Sequence, residues 1–140
     1  MAEPTITAER IVSMGHRLPH YEGICASPHG HNVRVVASIY TRGAFLDFKA
    51  VSATLGAILE DFDHAMVLSV EDPLLPVLRS FRFRTVALSV DPTTEAIAQW
   101  IFNQLTVKHY TVEFVRVHET DKYAAVATAF DGEVVRCDTR

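Results

Sequence analysis

The chain has 140 residues, of which 49% are hydrophobic and 21% charged, and this favours one globular domain over residues 1–140. A net charge of −4 and scattered Lys and Arg residues argue against a nucleic-acid-binding surface. Two cysteines are too few for a disulfide framework, and there is neither a signal peptide nor an apolar run of ~20 residues. We therefore expect a cytoplasmic protein without a membrane segment.

Hydrophobic periodicity predicts four strands around two helices, in the order ββααββ. Residues 65–90 are hard to read, apart from a loop around "EDPLLP" and a short strand near "TVALSV". Strand hairpins that flank a helical middle are typical of an α+β domain, with the helices on one face of an antiparallel sheet. The predicted strands cover 5–16, 31–41, 110–120 and 123–130, and the predicted helices cover 47–64 and 92–105.

Three histidines are the candidate metal ligands. His16 ends the first predicted strand on its apolar face, and His29 and His31 point to one side of the second strand. If these strands pair antiparallel, the three imidazoles converge. Three protein ligands with one open position are the catalytic zinc pattern. The alternative is ordinary surface or core histidines, and a cupin site loses support because Val35 and Val36 stand where it needs a Glu.

Three further polar features lie near these predicted strand and helix ends, and each has more than one interpretation. Cys25 has three interpretations: a fourth ligand that closes the metal site, a thiolate base beside the metal, or an inert loop thiol. Asp63 either orients the imidazole of His64 or belongs to a solvated helix end. Glu119 shares an apolar strand face, where a carboxylate needs a donor, unless the strand end is frayed and exposed to water.

Five ordered motifs across residues 12–120 resemble the 6-pyruvoyl- and 6-carboxy-tetrahydropterin synthase family. "GHRLPHYEGICASPHGHNV" resembles the family's "AHRLxH…C-x3-HGH" signature, with Gly15 in place of the usual Ala. "GAFLDFKAV", "LEDFDHAMVL", "DPTTEAIAQWI" and "VRVHET" resemble its "G…DF", "LDHxxLN", "PTxEnxAxWI" and "VxET" segments, with Ser69 in place of the usual Asn. The three-residue spacer before His29 is similar to that of the bacterial 6-carboxy branch.

The resemblance implies a tunnelling fold (T-fold), in which each subunit has a four-stranded antiparallel sheet and two helices on one face. It also implies a homo-oligomer built from trimers, often a hexamer, with active sites at subunit interfaces. The implied site assigns His16, His29 and His31 to Zn²⁺, Cys25 to the general base, Asp63 and His64 to its relay, Glu119 to the pterin, and Thr93, Thr94 and Glu95 to the pterin pocket.

The implied activity is that of a zinc-dependent lyase, 6-carboxy-5,6,7,8-tetrahydropterin synthase. Such an enzyme converts 7,8-dihydroneopterin triphosphate to 6-carboxy-tetrahydropterin, with loss of triphosphate and a two-carbon fragment, on the way to queuosine and other 7-deazaguanines. The nearest alternative is the 6-pyruvoyl branch. A folate-linked variant often has Glu in place of the catalytic cysteine, so Cys25 argues against it. A candidate from another class is a non-catalytic assembly module stabilised by zinc.

Overall fold

The computed structural model describes residues 3–132 and 137–139. Part of the C-terminal segment, for which the sequence predicts no function, therefore lies outside the described residues. The strands are β1 Thr5–His16, β2 His29–Tyr40, β3 Ala65–Ser69, β4 Thr85–Leu88, β5 Val112–His118, β6 Ala124–Ala127 and β7 Cys137–Asp138, and the α-helices are α1 Phe48–Leu59, α2 Leu74–Ser80 and α3 Thr94–Val107.

One mixed sheet contains all seven of these strands, in the order β6-β5-β2-β1-β3-β4-β7. The predicted antiparallel set is present as β6-β5-β2-β1, and β1 and β2 pair along twelve positions from Thr5–Tyr40 to His16–His29. The prediction of a four-stranded antiparallel sheet in the order ββααββ was wrong in extent. Strand β3 runs parallel to β1, β4 runs parallel to β3, and β7 adds a short antiparallel pair to β4.

The two predicted helices, α1 and α3, share one face of the sheet as expected, and the additional helix α2 lies on the other face. Helices α1 and α3 cover the main core, and Thr93 caps the N-terminus of α3, where its side chain accepts a hydrogen bond from the backbone N–H of Ala96 at 3.1 Å. Helix α2 covers the opposite face of β3 and β4, where Leu75 packs with Leu68 and Ala87. A sheet segment that is covered on both faces needs apolar side chains in both directions.

That double coverage explains why β3 and α2 escaped prediction. In "AMVLS", four of five residues are buried and Met66 is partly buried, so the strand has no alternation of apolar and polar positions. Periodicity alone does not assign a short, continuous apolar run to a strand or to a helix. The first helix ends at Leu59, followed by a 3₁₀ turn over Glu60–Phe62, and not at His64 as predicted.

The fold brings three of the candidate site residues to one end of the sheet. His16 ends β1, His29 begins β2, and Glu119 directly follows β5, so all three lie where neighbouring strands end or begin. None of the helices in the described residues is long and apolar enough to cross a bilayer.

Candidate metal centre and its surroundings

The three predicted ligand histidines come together at the end of the β1–β2 hairpin. His16 lies directly opposite His29, and His31 lies two residues further along the same face, opposite Met14. The ring centroids are 4.6 to 5.3 Å apart. One ligand atom from each imidazole lies within 4.8 Å of the others, so the three residues form a group able to hold a metal ion.

Two backbone carbonyls orient the rings. His16 Nδ1 lies 2.8 Å from the carbonyl oxygen of Pro92, and His29 Nδ1 lies 2.8 Å from that of Ser27. Because a carbonyl only accepts, each Nδ1 carries the proton and donates it. The Nε2 atom of each ring is thereby left as the free ligand atom, an arrangement typical of metal-binding histidines.

The buried environment keeps His16 neutral, which is the form a metal ligand needs. Burial is the main cause that lowers the pKa of His16, and the charges of His29 and His31 add to it, while the Pro92 carbonyl and Glu119 act in the opposite direction. In the described part of the chain, the Nε2 atoms of His16 and His31 are buried without a hydrogen-bond partner. Unsatisfied buried nitrogen lone pairs are costly, and a bound cation satisfies them.

Glu119 lies against the same nitrogen atoms. Its Oε1 atom is 3.2 Å from His16 Nε2 and 3.5 Å from His31 Nε2, and it accepts a hydrogen bond from the Thr94 hydroxyl at 3.3 Å. These four side chains line a small cavity of about 10 Å³, close to the room that one water molecule needs. The predicted position of Glu119, on the buried face of β5 with Val117, agrees with this geometry.

Cys25 lies in the loop that joins the ligands His16 and His29. It occupies the middle of a 3₁₀ turn over Ile24–Ala26, and its side chain is half-buried. Within residues 3–132 and 137–139 it is not a member of the converging group, which consists of the three histidines. Among the described residues of one copy, the group able to hold a metal therefore has three members and not the four that one interpretation of Cys25 requires.

Asp63 and His64 form an ion pair on the surface between the 3₁₀ turn and β3. Asp63 Oδ1 lies 3.1 Å from His64 Nδ1, and it also accepts the backbone N–H of Ser13 at 3.3 Å. The hydrogen bond from His64 is the main cause that lowers the pKa of Asp63. The carboxylate of Asp63 accepts a hydrogen bond from His64 Nδ1, so Nε2 is the ring nitrogen that this contact leaves available.

A cavity of about 720 Å³ lies between His64 and two of the converging histidines, His29 and His31. Its other lining residues include Met66, Phe83 and Arg84. In the described chain, Cys25 neither lines this cavity nor forms a hydrogen bond with His64. In the described part of one copy, His64 thus lines the same cavity as His29 and His31, and Cys25 is not among the residues that line it.

The three predicted pocket residues at the start of α3 have different surroundings. Thr94 contacts Glu119, as described above. The Thr93 hydroxyl caps the helix, and this cap fixes the turn in which the Pro92 carbonyl meets His16. Glu95 is exposed in the first helical turn, where a negative charge is favourable near the helix N-terminus.

Sequence reasoning missed an ion pair beside the site. Arg17 follows His16 directly, and its guanidinium binds Asp72 in the loop after β3. Asp72 is 2% exposed, which is unusual for a carboxylate. The only available signal was an arginine next to a candidate ligand, because its partner lies 55 residues away.

Known proteins resemble this chain in sequence. The family model described as 6-pyruvoyl tetrahydropterin synthase matches residues 5–129. A Haemophilus influenzae protein named "6-carboxy-5,6,7,8-tetrahydropterin synthase" is 29% identical over 133 residues, covering 82% of this chain and 92% of that protein. A Halobacterium salinarum protein named "Probable 6-carboxy-5,6,7,8-tetrahydropterin synthase" is 33% identical over 88 residues, and the match spans 61% of this chain and 59% of that relative, less than two thirds of its length.

Solved structures resemble the chain in fold. An uncharacterized protein from Wolinella succinogenes superimposes with a TM-score of 0.73 at 21% identity, covering 89% of this chain and 97% of that one. The 6-pyruvoyl tetrahydropterin synthase of Caenorhabditis elegans superimposes with a TM-score of 0.60 at 22% identity, covering 92% and 99%. At this identity the likeness supports the α+β fold alone.

Proposed function

Since the chain belongs to the 6-pyruvoyl tetrahydropterin synthase family, we propose that it acts as a zinc-dependent 6-carboxy-5,6,7,8-tetrahydropterin synthase. The substrate is 7,8-dihydroneopterin triphosphate, and the product is 6-carboxy-tetrahydropterin, an early intermediate towards queuosine. The curated relatives from Haemophilus and Halobacterium carry the name of this branch. The three-residue spacer between Cys25 and His29 supports the same branch.

The observation that carries the proposal is the convergence of His16, His29 and His31 with two buried, unpartnered Nε2 atoms. Three imidazole ligands with room for a further ligand match a catalytic zinc site better than a structural one. When bound, zinc supplies Lewis-acid activation of the oxygen atoms on the substrate's side chain. Neutral histidine ligands leave the full charge of the ion available for that task.

The proton transfers fall to Cys25, Asp63 and His64. Cys25, as a thiolate, removes a carbon-bound proton, and the Nε2 atom of His64 accepts and returns protons. This role is supported by the contact between Asp63 Oδ1 and His64 Nδ1 at 3.1 Å, which orients the imidazole ring. General acid–base steps of this kind contribute about 10²–10⁴-fold in rate.

Glu119 binds the pterin ring. The 2-amino group and N3–H of a pterin are two parallel donors, and one carboxylate accepts both in a fork. The hydrogen bond from Thr94 holds the carboxylate at 3.3 Å, next to the proposed metal ligands. The ring and its side chain are therefore bound close together, with the side chain directed at the metal. Thr93 and Glu95 lie at the same end of α3, and we retain their assignment to the pterin pocket as part of this proposal.

We further propose that the chain works as a homo-oligomer built from trimers. Within the described part of one chain, Cys25 does not line the cavity that His64 shares with His29 and His31, and in this proposal a neighbouring copy completes the relay. Several large apolar side chains are exposed at the surface, which is typical of protein–protein contacts. They include Phe45 at 91%, Ile24 at 89%, Phe81 at 66% and Phe83 at 60% exposure.

The deciding experiment is incubation of the zinc-loaded protein with 7,8-dihydroneopterin triphosphate, followed by mass spectrometry of the products. The proposal expects 6-carboxy-tetrahydropterin and free triphosphate. Formation of 6-pyruvoyl-tetrahydropterin would assign the chain to the other branch. Absence of turnover, together with loss of the folded state on chelation, would assign it to a zinc-stabilised assembly module.

A further inference from the structure

A buried ion pair joins the loop that carries Cys25 to the far side of the site. Arg17 Nε donates to Asp72 Oδ2 at 2.7 Å, and the side chain of Asp72 is fully buried. The other carboxylate oxygen of Asp72 accepts the backbone N–H of Leu74 at 2.9 Å, at the start of α2. Buried ion pairs of this kind add little net stability compared with apolar side chains of the same size, so stability alone does not account for it.

The same guanidinium holds the backbone next to the thiol. Arg17 Nη1 donates to the carbonyl oxygen of Ala26 at 3.1 Å, one residue after Cys25. The backbone N–H of Leu18 donates to the carbonyl oxygen of Cys25 itself at 2.8 Å. Two consecutive residues that follow the ligand His16 therefore fix the carbonyls of Cys25 and Ala26.

We infer that Arg17 and Asp72 are positioning residues, which set the place of the Cys25 thiol relative to His16. The inference rests on the proposed role of Cys25 as the general base. The loop between the two ligands is otherwise largely exposed, with residues 20–24 all at the surface. Proton abstraction depends strongly on geometry, since a displacement of about 1 Å can cost on the order of 10²-fold in rate.

The chemistry of the guanidinium explains why arginine is needed. Its planar fork donates from Nε to Asp72 and from Nη1 to Ala26 at the same time. Lysine has a single ammonium group on a flexible chain, so it keeps the charge pair but loses the rigid bridge. Asp72→Asn keeps the shape of the partner but removes its charge.

The test compares Arg17→Lys and Asp72→Asn in a Cys137→Ser background, so that Cys25 is the only thiol. The matched control is Arg34→Lys, because Arg34 pairs with Glu9 at 3.3 Å on strands β1 and β2 and is partly exposed. Four quantities are measured on each variant: zinc content, Tm, kcat and KM with dihydroneopterin triphosphate, and the rate of Cys25 alkylation by iodoacetamide from pH 6 to 10.

For Arg17→Lys we expect a kcat lower by about 10- to 100-fold, with KM and zinc content near those of the parent. Cys25 alkylation should become faster at each pH because the freed loop exposes the thiol. Asp72→Asn should show the same changes with a lower Tm, and Arg34→Lys should show none of them.

Arg17→Lys with the parent's kcat and alkylation profile would overturn the inference. So would variants whose kcat falls only in proportion to their folded fraction, which is the signature of a purely structural pair. If the parent does not turn over this substrate, the proposed function fails, and the alkylation profile alone then decides the positioning. An unchanged profile in Arg17→Lys rejects it, and an accelerated one supports it.

Discussion

Replacement of the proposed ligand His16 by alanine should separate metal binding from folding when it is compared with His29→Ala. The two residues face each other across the hairpin, and each donates Nδ1–H to a carbonyl at 2.8 Å. They differ in surroundings, because His16 is 4% exposed and its partner Pro92 is buried. His29 is partly exposed and its partner Ser27 is exposed.

The expected effect on zinc is similar for both variants. Structural zinc sites with four ligands bind with about 10–16 kcal/mol, so one ligand contributes about 2.5–4 kcal/mol. Since about 1.4 kcal/mol corresponds to a tenfold change, each variant should raise the zinc Kd by roughly 10²–10³-fold.

The effect on the stability of the metal-free protein should differ between the two variants. His16→Ala leaves the buried Pro92 carbonyl without a hydrogen-bond donor, which should lower the free energy of unfolding by about 1–3 kcal/mol. In His29→Ala, water replaces the lost donor at the exposed Ser27 carbonyl, so the free energy of unfolding should change by no more than about 0.5 kcal/mol.

Competition with a chromogenic chelator measures the zinc Kd, and urea unfolding in EDTA measures the stability of the metal-free protein. His20→Ala is the control, because His20 lies exposed in the loop between the ligands and outside the converging group. A zinc Kd for His29→Ala equal to that of His20→Ala would refute the ligand assignment. Equal losses of metal-free stability in His16→Ala and His29→Ala would refute the account of the buried carbonyl.

Three further predictions concern single side chains. Cys25→Ala should keep its zinc, measured by atomic absorption, and lose turnover; loss of the metal would instead make Cys25 a ligand. Glu119→Ala removes two charge-assisted hydrogen bonds worth about 1.5–3 kcal/mol each, and so calorimetry should show pterin binding weakened by more than zinc binding, with unchanged pterin affinity as the contrary result. Burial raises the pKa of Cys137 to about 11 from 9.0, so above pH 9 the unfolded chain loses this proton while the folded chain keeps it. Stability should therefore fall from pH 9 and level off above pH 11, relative to Cys137→Ser, and an alkylation midpoint for Cys137 near pH 9 in Cys25→Ser would contradict the burial.

The sequence predicted best where the determining contacts are local. The hairpin that pairs His16 with His29 follows from two alternating strands joined by one loop, and the cap at Thr93 follows from a short motif. It predicted least where the contacts are remote. Strand β3 has no alternation of apolar and polar residues because both of its faces are buried. Helix α2 overlaps the loop predicted around "EDPLLP", and it packs only against the face of the sheet opposite the main core.

In the candidate site, too, the sequence predicted the features that depend on local contacts and not those that depend on remote ones. Convergence of the three histidines was predicted and is found, because one hairpin register determines it. The carbonyl of Pro92, which orients His16 from 76 residues away, was not predicted. Neither was the pair of Arg17 and Asp72, since nothing in the local sequence around Asp72 indicates burial. The roles assigned to Cys25, Asp63 and His64 stay predictions.

The orientation of the imidazoles argues that the site is built around a cation. With Nδ1 of His16 donating to a carbonyl and burial keeping that ring neutral, its Nε2 atom presents a lone pair towards the other rings and towards Glu119. The lone pair of His16 Nε2 and the carboxylate oxygen of Glu119, which lie 3.2 Å apart, repel unless a positive charge lies between them. A proton on one imidazole relieves part of this repulsion, but burial of His16 opposes it. A divalent ion relieves it without charging any ring, and so the same burial that disfavours protonation favours the metal.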